Sequence, residues 1–400
     1  MNILIVSAVF YPEPIVIGTL SRDIALRLAE KHTVTVVCPK PTRPFGYDFS
    51  DYRYEKDKTY TRVELQSYTC AKTDYIGRFR ETYGFGRAVK KYLDANYKNF
   101  DVVYSWSWPL YAQLLIAKAA KKYKIPLITH VQDVYPEPFL RRVPIIGRLL
   151  YRLFFNVDKK SLLLSEKVIA IAPRIKEYLI HTRGLNRKQV EVIYNWQDET
   201  RFENYTAQRK PLGSPFTFMF LGTLSGAANL EYIANCFLKA DIPNSQFIFA
   251  GSGSAKKNLE NIAKQDKNKR IEFCDAPFSE VAKIQDRADV LVISLNKGGG
   301  AHAFPSKLPA YMFSKKPILA SVDFTSDIAY VVNQSNSGWV VEPNQEEELI
   351  KTMKTISEVP FEELSIMGNK GFSYAKRHLS KETNLSKICN LIETLDNDKE

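Results

Sequence analysis

Three successive glycines, a Pro-Ser-Lys triplet and a helical pattern fall within residues 298–321, shortly after the apolar run Val290–Leu295. The apolar run reads as a buried parallel strand. Gly298, Gly299 and Gly300 let backbone come close to a ligand. Pro305 suits the first helical position, where its missing N–H would have been unpaired anyway. The amides of Ser306, Lys307 and Leu308 would then stand free at a positive helix end beside the Lys307 ammonium. That is the chemistry of a phosphate site. A solvated lysine on an ordinary glycine-rich connection is the plainer reading. Strand, loop, triplet and helix occurring together favour phosphate.

The first half offers a second set of candidates. His130 and Asp133 follow the apolar run Ile125–Thr129, at a strand end where α/β proteins bind ligands. A histidine there could hydrogen-bond a ligand, and a carboxylate could accept a proton. A structural role is the alternative for both. Gly18 opens a helical pattern after a proline-containing loop, so it is either a phosphate-approach glycine or a simple turn. Glu13 and Glu137 each sit in a Pro-Glu-Pro context and could reach a second substrate.

Other chemistries find little support. No Asp-x-Asp element lies in a candidate cleft loop and the five histidines are dispersed, so no metal is expected. Fixed dipoles and Lys307 would stabilise leaving-group charge instead. No Gly-x-Ser-x-Gly elbow marks a serine hydrolase, and no Gly-x-Gly-x-x-Gly follows the first strand. The five cysteines are scattered without a Cys-x-x-Cys pair, which suits a reducing cytosol. The first residues read as a strand rather than a signal peptide, and no 18-residue uncharged apolar stretch occurs.

Charge is unevenly placed. Residues 1–200 hold 32 Lys+Arg against 20 Asp+Glu, so the whole net charge of +12 belongs to the first half. A one-sided basic surface points to an anionic partner. Its basic segments, 72–92 and 141–155, interleave arginines with Tyr, Phe and Leu. Two ordinary amphipathic helices would look the same. The pattern also suits the plane of an anionic membrane, with Arg141, Arg142, Arg148 and Arg152 at the surface. Nucleic acid is not expected, since zinc-finger, RNP-like and helix-turn-helix patterns are missing.

These residues need a scaffold, and the chain supplies one. Short apolar runs alternate with helical patterns along nearly its full length, as in parallel sheets covered by helices. Strands are expected at 2–8, 33–38, 60–67, 101–105, 125–131, 167–172 and 190–194, then at 216–221, 246–250, 270–274, 289–295, 317–321 and 338–342. Helices are expected after Gly18, near 80–95, 109–123, 148–163 and 173–182, and through a tail at about 361–395. The polar, turn-rich segment 197–215 is the expected boundary. Two doubly wound Rossmann-like α/β domains would face each other across a cleft.

Several motifs in order now carry a resemblance. They are Phe10-Tyr-Pro-Glu-Pro14 before Gly18, Gln132-Asp-Val-Tyr-Pro-Glu137 and Val192-Ile-Tyr-Asn-Trp-Gln-Asp198. Phe220-Leu-Gly-Thr-Leu-Ser225, Phe249-Ala-Gly-Ser-Gly253, Ala276-Pro-Phe-Ser-Glu280, Phe304-Pro-Ser-Lys-Leu308 and Lys316-Pro-Ile-Leu-Ala320 follow. The chain resembles the retaining GT-B glycosyltransferases of family 4, especially bacterial enzymes that build lipid-linked surface polysaccharides. The resemblance implies a domain at 1–200 facing acceptor and membrane, and a nucleotide-sugar domain at 201–375. A C-terminal helix at about 376–400 would pack back on the first. A donor, commonly a UDP-sugar, would contact Gly18, Gly222, Thr223, Gly251, Gly253, Phe278, His302, Ser306, Lys307 and Leu308. His130, Asp133 and Lys307 would serve catalysis, and Glu13 and Glu137 the acceptor, a polyprenyl-diphosphate-linked saccharide. The Glu-x7-Glu pair of the family falls on His302 and Ala310, so neither glutamate is present. The reading is a metal-independent, retaining transferase on the inner face of the cell membrane. Two alternatives are a GT-B sugar-nucleotide epimerase and a non-catalytic sugar-nucleotide- or polysaccharide-binding subunit.

Overall fold

The structure, a computed structural model, describes residues 1–43, 47–49, 59–68, 70, 75–137, 146–202, 210–301, 304–305 and 307–397. It divides into two compact units, Met1–Tyr194 with Asn384–Glu400, and Asn195–Thr383. The division thus falls just upstream of the polar segment 197–215.

The first unit is built on β1 (Asn2–Val6), β2 (Thr33–Pro39), β3 (Thr61–Leu65), β4 (Val102–Trp106), β5 (Leu127–Val131), β6 (Lys167–Ala170) and β7 (Val190–Val192). They form one parallel sheet in the order β3-β2-β1-β4-β5-β6-β7. β4 and β5 are buried at every residue, which is why neither carries a charged side chain or alternates charged with apolar positions. Around the sheet lie α1 (Val16–Ala29), α2 (Tyr75–Asn96), α3 (Leu110–Tyr123), α4 (Ile146–Leu163) and α5 (Pro173–Arg183). α1 begins at Val16, so Gly18 lies inside its first turn rather than before it.

The second unit repeats the scheme with β8 (Phe216–Leu221), β9 (Ser245–Ala250), β10 (Ile271–Cys274), β11 (Val290–Ser294), β12 (Ile318–Ser321) and β13 (Gly338–Val341), ordered β10-β9-β8-β11-β12-β13. Its core is aromatic: Phe247 stacks on Phe249 at 4.4 Å and on Phe218 at 6.4 Å. The helices are α6 (Leu230–Ala240), α7 (Lys256–Gln265), α8 (Val281–Asp286), α9 (Lys307–Phe313), α10 (Asp327–Ser335), α11 (Glu346–Ser357) and α12 (Phe361–His378).

The expected single tail helix is two, because α13 (Lys381–Asn397) starts afresh after Leu379-Ser380. Ser380 Oγ accepts the Thr383 N–H at 3.2 Å and so caps a new helix. Within the first unit, His32 Nε2 lies 3.1 Å from Glu393 Oε1 of α13. Strand order reverses between β1 and β4 and again between β8 and β11, and ligand loops belong at the carboxyl ends of such strands.

Candidate active site

In the second unit the site begins where β8 ends. The buried Tyr311 hydroxyl accepts the Leu221 N–H at 2.8 Å and donates to the Leu221 carbonyl at 3.0 Å, fixing the last residue of β8. Gly222 follows with φ 136°, a conformation that favours glycine. A Cβ there would lie 3.3 Å from Lys307 Nζ. The loops after β8 and β9 lie backbone against backbone: a Cβ on Gly251 would sit 2.2 Å from the Gly222 carbonyl oxygen. A Cβ on Gly253 would be equally close, 2.2 Å, to that of Leu224. These two glycines serve loop packing, not only the approach of a ligand. Thr223 is exposed at the tip of the first loop.

Lys307 is half-buried, with Nζ 3.9 Å from the centroid of the Phe220 ring. Burial pulls its pKa down to about 8. Among the described residues no carboxylate pairs with it. A desolvated cation beside a glycine turn and lacking a protein anion is prepared to accept a ligand anion. It is not the solvated lysine of the plainer reading.

The helix end differs from expectation. α9 begins at Lys307, so Pro305 precedes the helix, and the Leu308 N–H donates to the Pro305 carbonyl at 3.2 Å. Leu308 is therefore no free donor, and its side chain is in the core. Ser306 and His302 lie outside the described residues, as does the side chain of Phe278. Ala310 is buried where the family would carry an acid. Sequence reasoning missed Asp323, whose carboxylate oxygens accept the Gly298 N–H at 2.9 and 2.8 Å and hold the glycine-rich loop. Its place just after β12, at another strand carboxyl end, was the available signal.

The first unit brings larger corrections. His130 is fully buried, its Nδ1 2.6 Å from the Tyr104 hydroxyl and its ring stacked on Trp106 at 4.4 Å. Gln132 Nε2 approaches its Nε2 at 3.4 Å, and Trp106 Nε1 donates to Ser21 Oγ at 2.8 Å. Burial drives the imidazole pKa down to about 3, so the ring is neutral. It supports the end of β5 and does not present itself to a sugar. Asp133, three residues on, is exposed, and the protein around it raises its carboxyl above the ordinary range by desolvation. That leaves Asp133 as the acid–base candidate of this unit.

The two Pro-Glu-Pro glutamates are both structural. Glu13 is buried, accepting the N–H groups of Phe10 at 3.2 Å and of Thr42 and Arg43 at 2.8 Å each. Burial raises its pKa, partly offset by those three donors. Gly18 lets this loop lie on α1: a Cβ there would meet the Glu13 carbonyl oxygen at 3.2 Å. Glu137 joins an interior ion cluster. Arg183, fully buried, pairs with Glu137 at 2.7 Å and Asp158 at 2.7 Å and donates to the Tyr135 carbonyl at 2.7 Å. Tyr178 adds a hydrogen bond to Glu137 at 2.9 Å, and the Phe155 ring lies 4.3 Å from the guanidinium. Burial opposes the Arg183 charge, but its hydrogen bonds to the two carboxylates and their opposite charge outweigh it and raise its pKa. Burial likewise lifts the Asp158 carboxyl, to about 6. Arg141 and Arg142 lie outside the described residues, as does the side chain of Arg148, while Arg152 is exposed on α4.

Two doubly wound α/β units, the second with glycine turns after β8 and β9, define a GT-B protein. Residues 17–201 match the family described as Glycosyltransferase Family 4, and 215–358 match Glycosyl transferases group 1. The chain belongs with the family 4-like glycosyltransferases. It is 25% identical over 321 residues to the probable glycosyltransferase WbjE of Pseudomonas aeruginosa, covering 76% of this chain and 77% of that one. HepE of Anabaena, solved in complex with UDP, superposes with a TM-score of 0.70 at 14% identity over 98% of this chain and all of its own. WaaG, a glycosyltransferase involved in lipopolysaccharide biosynthesis, superposes at 0.66 and 13% identity, covering 98% of this chain and 99% of its own.

Proposed function

We propose that this glycosyltransferase moves a sugar from a UDP-sugar to a polyprenyl-diphosphate-linked saccharide during bacterial surface-polysaccharide synthesis, with retention and without a metal. The observation that carries the donor half is Lys307, a half-buried ammonium over Phe220 and beside the Gly222 turn, with no carboxylate among the described residues to neutralise it. The bond between anomeric carbon and phosphate oxygen breaks, and negative charge grows on the departing diphosphate. A desolvated cation stabilises that charge far more than a hydrated one would. HepE, solved in complex with UDP, supports UDP as the donor nucleotide, and the family resemblance supports retention. Asp133 is the carboxylate assigned to the acceptor hydroxyl proton, its raised pKa suiting proton transfer.

The acceptor half rests on the first unit. Exposed Phe79 and Tyr83 on α2 stack at 6.1 Å, Phe79 packs edge-on against Tyr111 of α3 at 4.9 Å, and Leu153 and Arg152 are exposed on α4. Arg80 and Arg87 flank the aromatics on α2. Apolar rings beside arginines suit an anionic lipid surface, where such an acceptor resides. No helix among the described residues is long and apolar enough to cross a membrane. UDP release from UDP-sugars, with and without a lipid extract of the source organism, tests the reading. Release that needs the lipid supports it; release indifferent to lipid rejects the acceptor.

A further inference from the structure

A groove of about 500 Å³ opens at the carboxyl ends of β2 and β3, lined by Lys40, Thr42, Leu65, Gln66, Ser67 and Tyr68. This is where open α/β sheets bind ligands, yet none of these residues belongs to the site described above. Tyr68 is 41% exposed, and the Arg80 guanidinium lies 4.7 Å from its ring centroid, a cation–π contact that steadies the ring. Among the described residues, the Lys40 ammonium and the Gln66 amide have no hydrogen-bonding partner. Hydrogen bonds and an ion pair hold the chain at Thr42 and the residue after it. Buried Glu13 clamps the Thr42 and Arg43 amides, and Arg43 reaches Glu81 at 2.5 Å while lying 4.9 Å over the Trp108 ring.

An aromatic face and Leu65 stand beside an unpartnered amide, an ammonium and hydroxyls, on a preorganised wall. A pyranose ring has the matching chemistry, with a C–H face to stack and a rim of hydroxyls to hydrogen-bond. A phosphate would find the Lys40 ammonium and, against the Tyr68 ring, the Arg80 guanidinium, but it has no apolar face to set against Tyr68 and Leu65. We infer that this groove is a saccharide-binding site, holding a sugar ring of the acceptor against Tyr68 while Lys40 and Gln66 bond its hydroxyls. The inference rests on the reading that the acceptor is a saccharide. It also gives Glu13 a positioning role toward the acceptor rather than contact with it.

The test uses the full chain and, as probe, the reducing oligosaccharides released by mild acid from the source organism's polyprenyl-diphosphate glycolipids. Saturation-transfer NMR should show these sugars bound to the wild type. Tyr68→Ala should bind them about 10-fold more weakly, the scale of one aromatic contact, whereas Tyr68→Phe keeps the stack and should bind normally. UDP affinity should be the same in all three. In the lipid-dependent assay Tyr68→Ala should raise the acceptor KM and leave kcat in place. Sugar binding unchanged in Tyr68→Ala, none in the wild type, or loss of UDP affinity with Tyr68 would overturn the site. Lipid-independent UDP release by the wild type would instead overturn the proposed acceptor, which the NMR experiment does not address.

Discussion

Lys307 and His130 show how burial sets what a titratable residue can do. Lys307, with its pKa near 8, is still charged at neutral pH and gains a partner when a diphosphate arrives. Binding must then raise that pKa, so UDP should take up protons between pH 8 and 9. Calorimetry in buffers of different ionisation enthalpy measures this, and Lys307→Arg should abolish it. Lys307→Ala should cut turnover by roughly 10²-fold or more, the scale of losing a transition-state charge partner; wild-type turnover in that variant would remove the assigned role. His130 behaves oppositely. Its folded pKa of about 3 lies below the ordinary imidazole value of 6.5, so the unfolded chain binds the extra proton first. Its contribution is present above pH 6.5 and is lost as pH falls towards 3. Urea titrations across that range should show wild-type stability falling more steeply than that of His130→Asn. Sequence spacing singled out Lys307 and Asp133 together with Glu13, Glu137 and His130, and did not reveal that the last three are buried against protein partners. Their partners lie far along the chain: Tyr104 is 26 residues from His130 and Arg183 is 46 from Glu137. No local pattern distinguishes a buried carboxylate with such a partner from one facing a ligand.

At the scale of elements, the Arg183 cluster ties together α5, α4 through Asp158, and the chain after β5 through Tyr135 and Glu137. Arg183→Met would leave two carboxylates buried without their cation, which costs about 3–5 kcal/mol. Chemical denaturation should register a loss of that size. A loss below about 1 kcal/mol, the scale of an exposed pair, would mean water reaches the cluster. The strands were far more legible than this cluster. Parallel strands covered on both faces must be continuously apolar, and runs such as Val290–Ser294 have no helical period to confuse them. Helix ends were less legible because they depend on single hydrogen bonds. The Leu379-Ser380 break follows from Ser380 capping the Thr383 amide, and the start of α9 from the turn closed by Pro305.

For the whole molecule, the segregated charge is the property that bears most on where the enzyme works. All of the +12 belongs to residues 1–200, while the remaining half is neutral. Each basic side chain near an anionic bilayer contributes about 1 kcal/mol, decaying within a Debye length of about 8 Å at physiological salt. A few arginines with Phe79, Tyr83 and Leu153 therefore suffice for reversible attachment, and attachment of this kind must weaken with salt. The protein should sediment with vesicles rich in anionic lipid, come off in high salt, and bind neutral vesicles weakly. Replacing Arg141, Arg142, Arg148 and Arg152 together with Gln should reduce sedimentation and leave UDP affinity intact, because Lys307 and the Gly222 turn proposed for the donor lie in the other unit. Phe79→Ala separates the two contributions: it should weaken the salt-resistant part of binding while leaving the salt-sensitive part. If the wild type ignores anionic vesicles even at low salt, the basic half serves another anion, and a lipid-borne acceptor loses its physical basis.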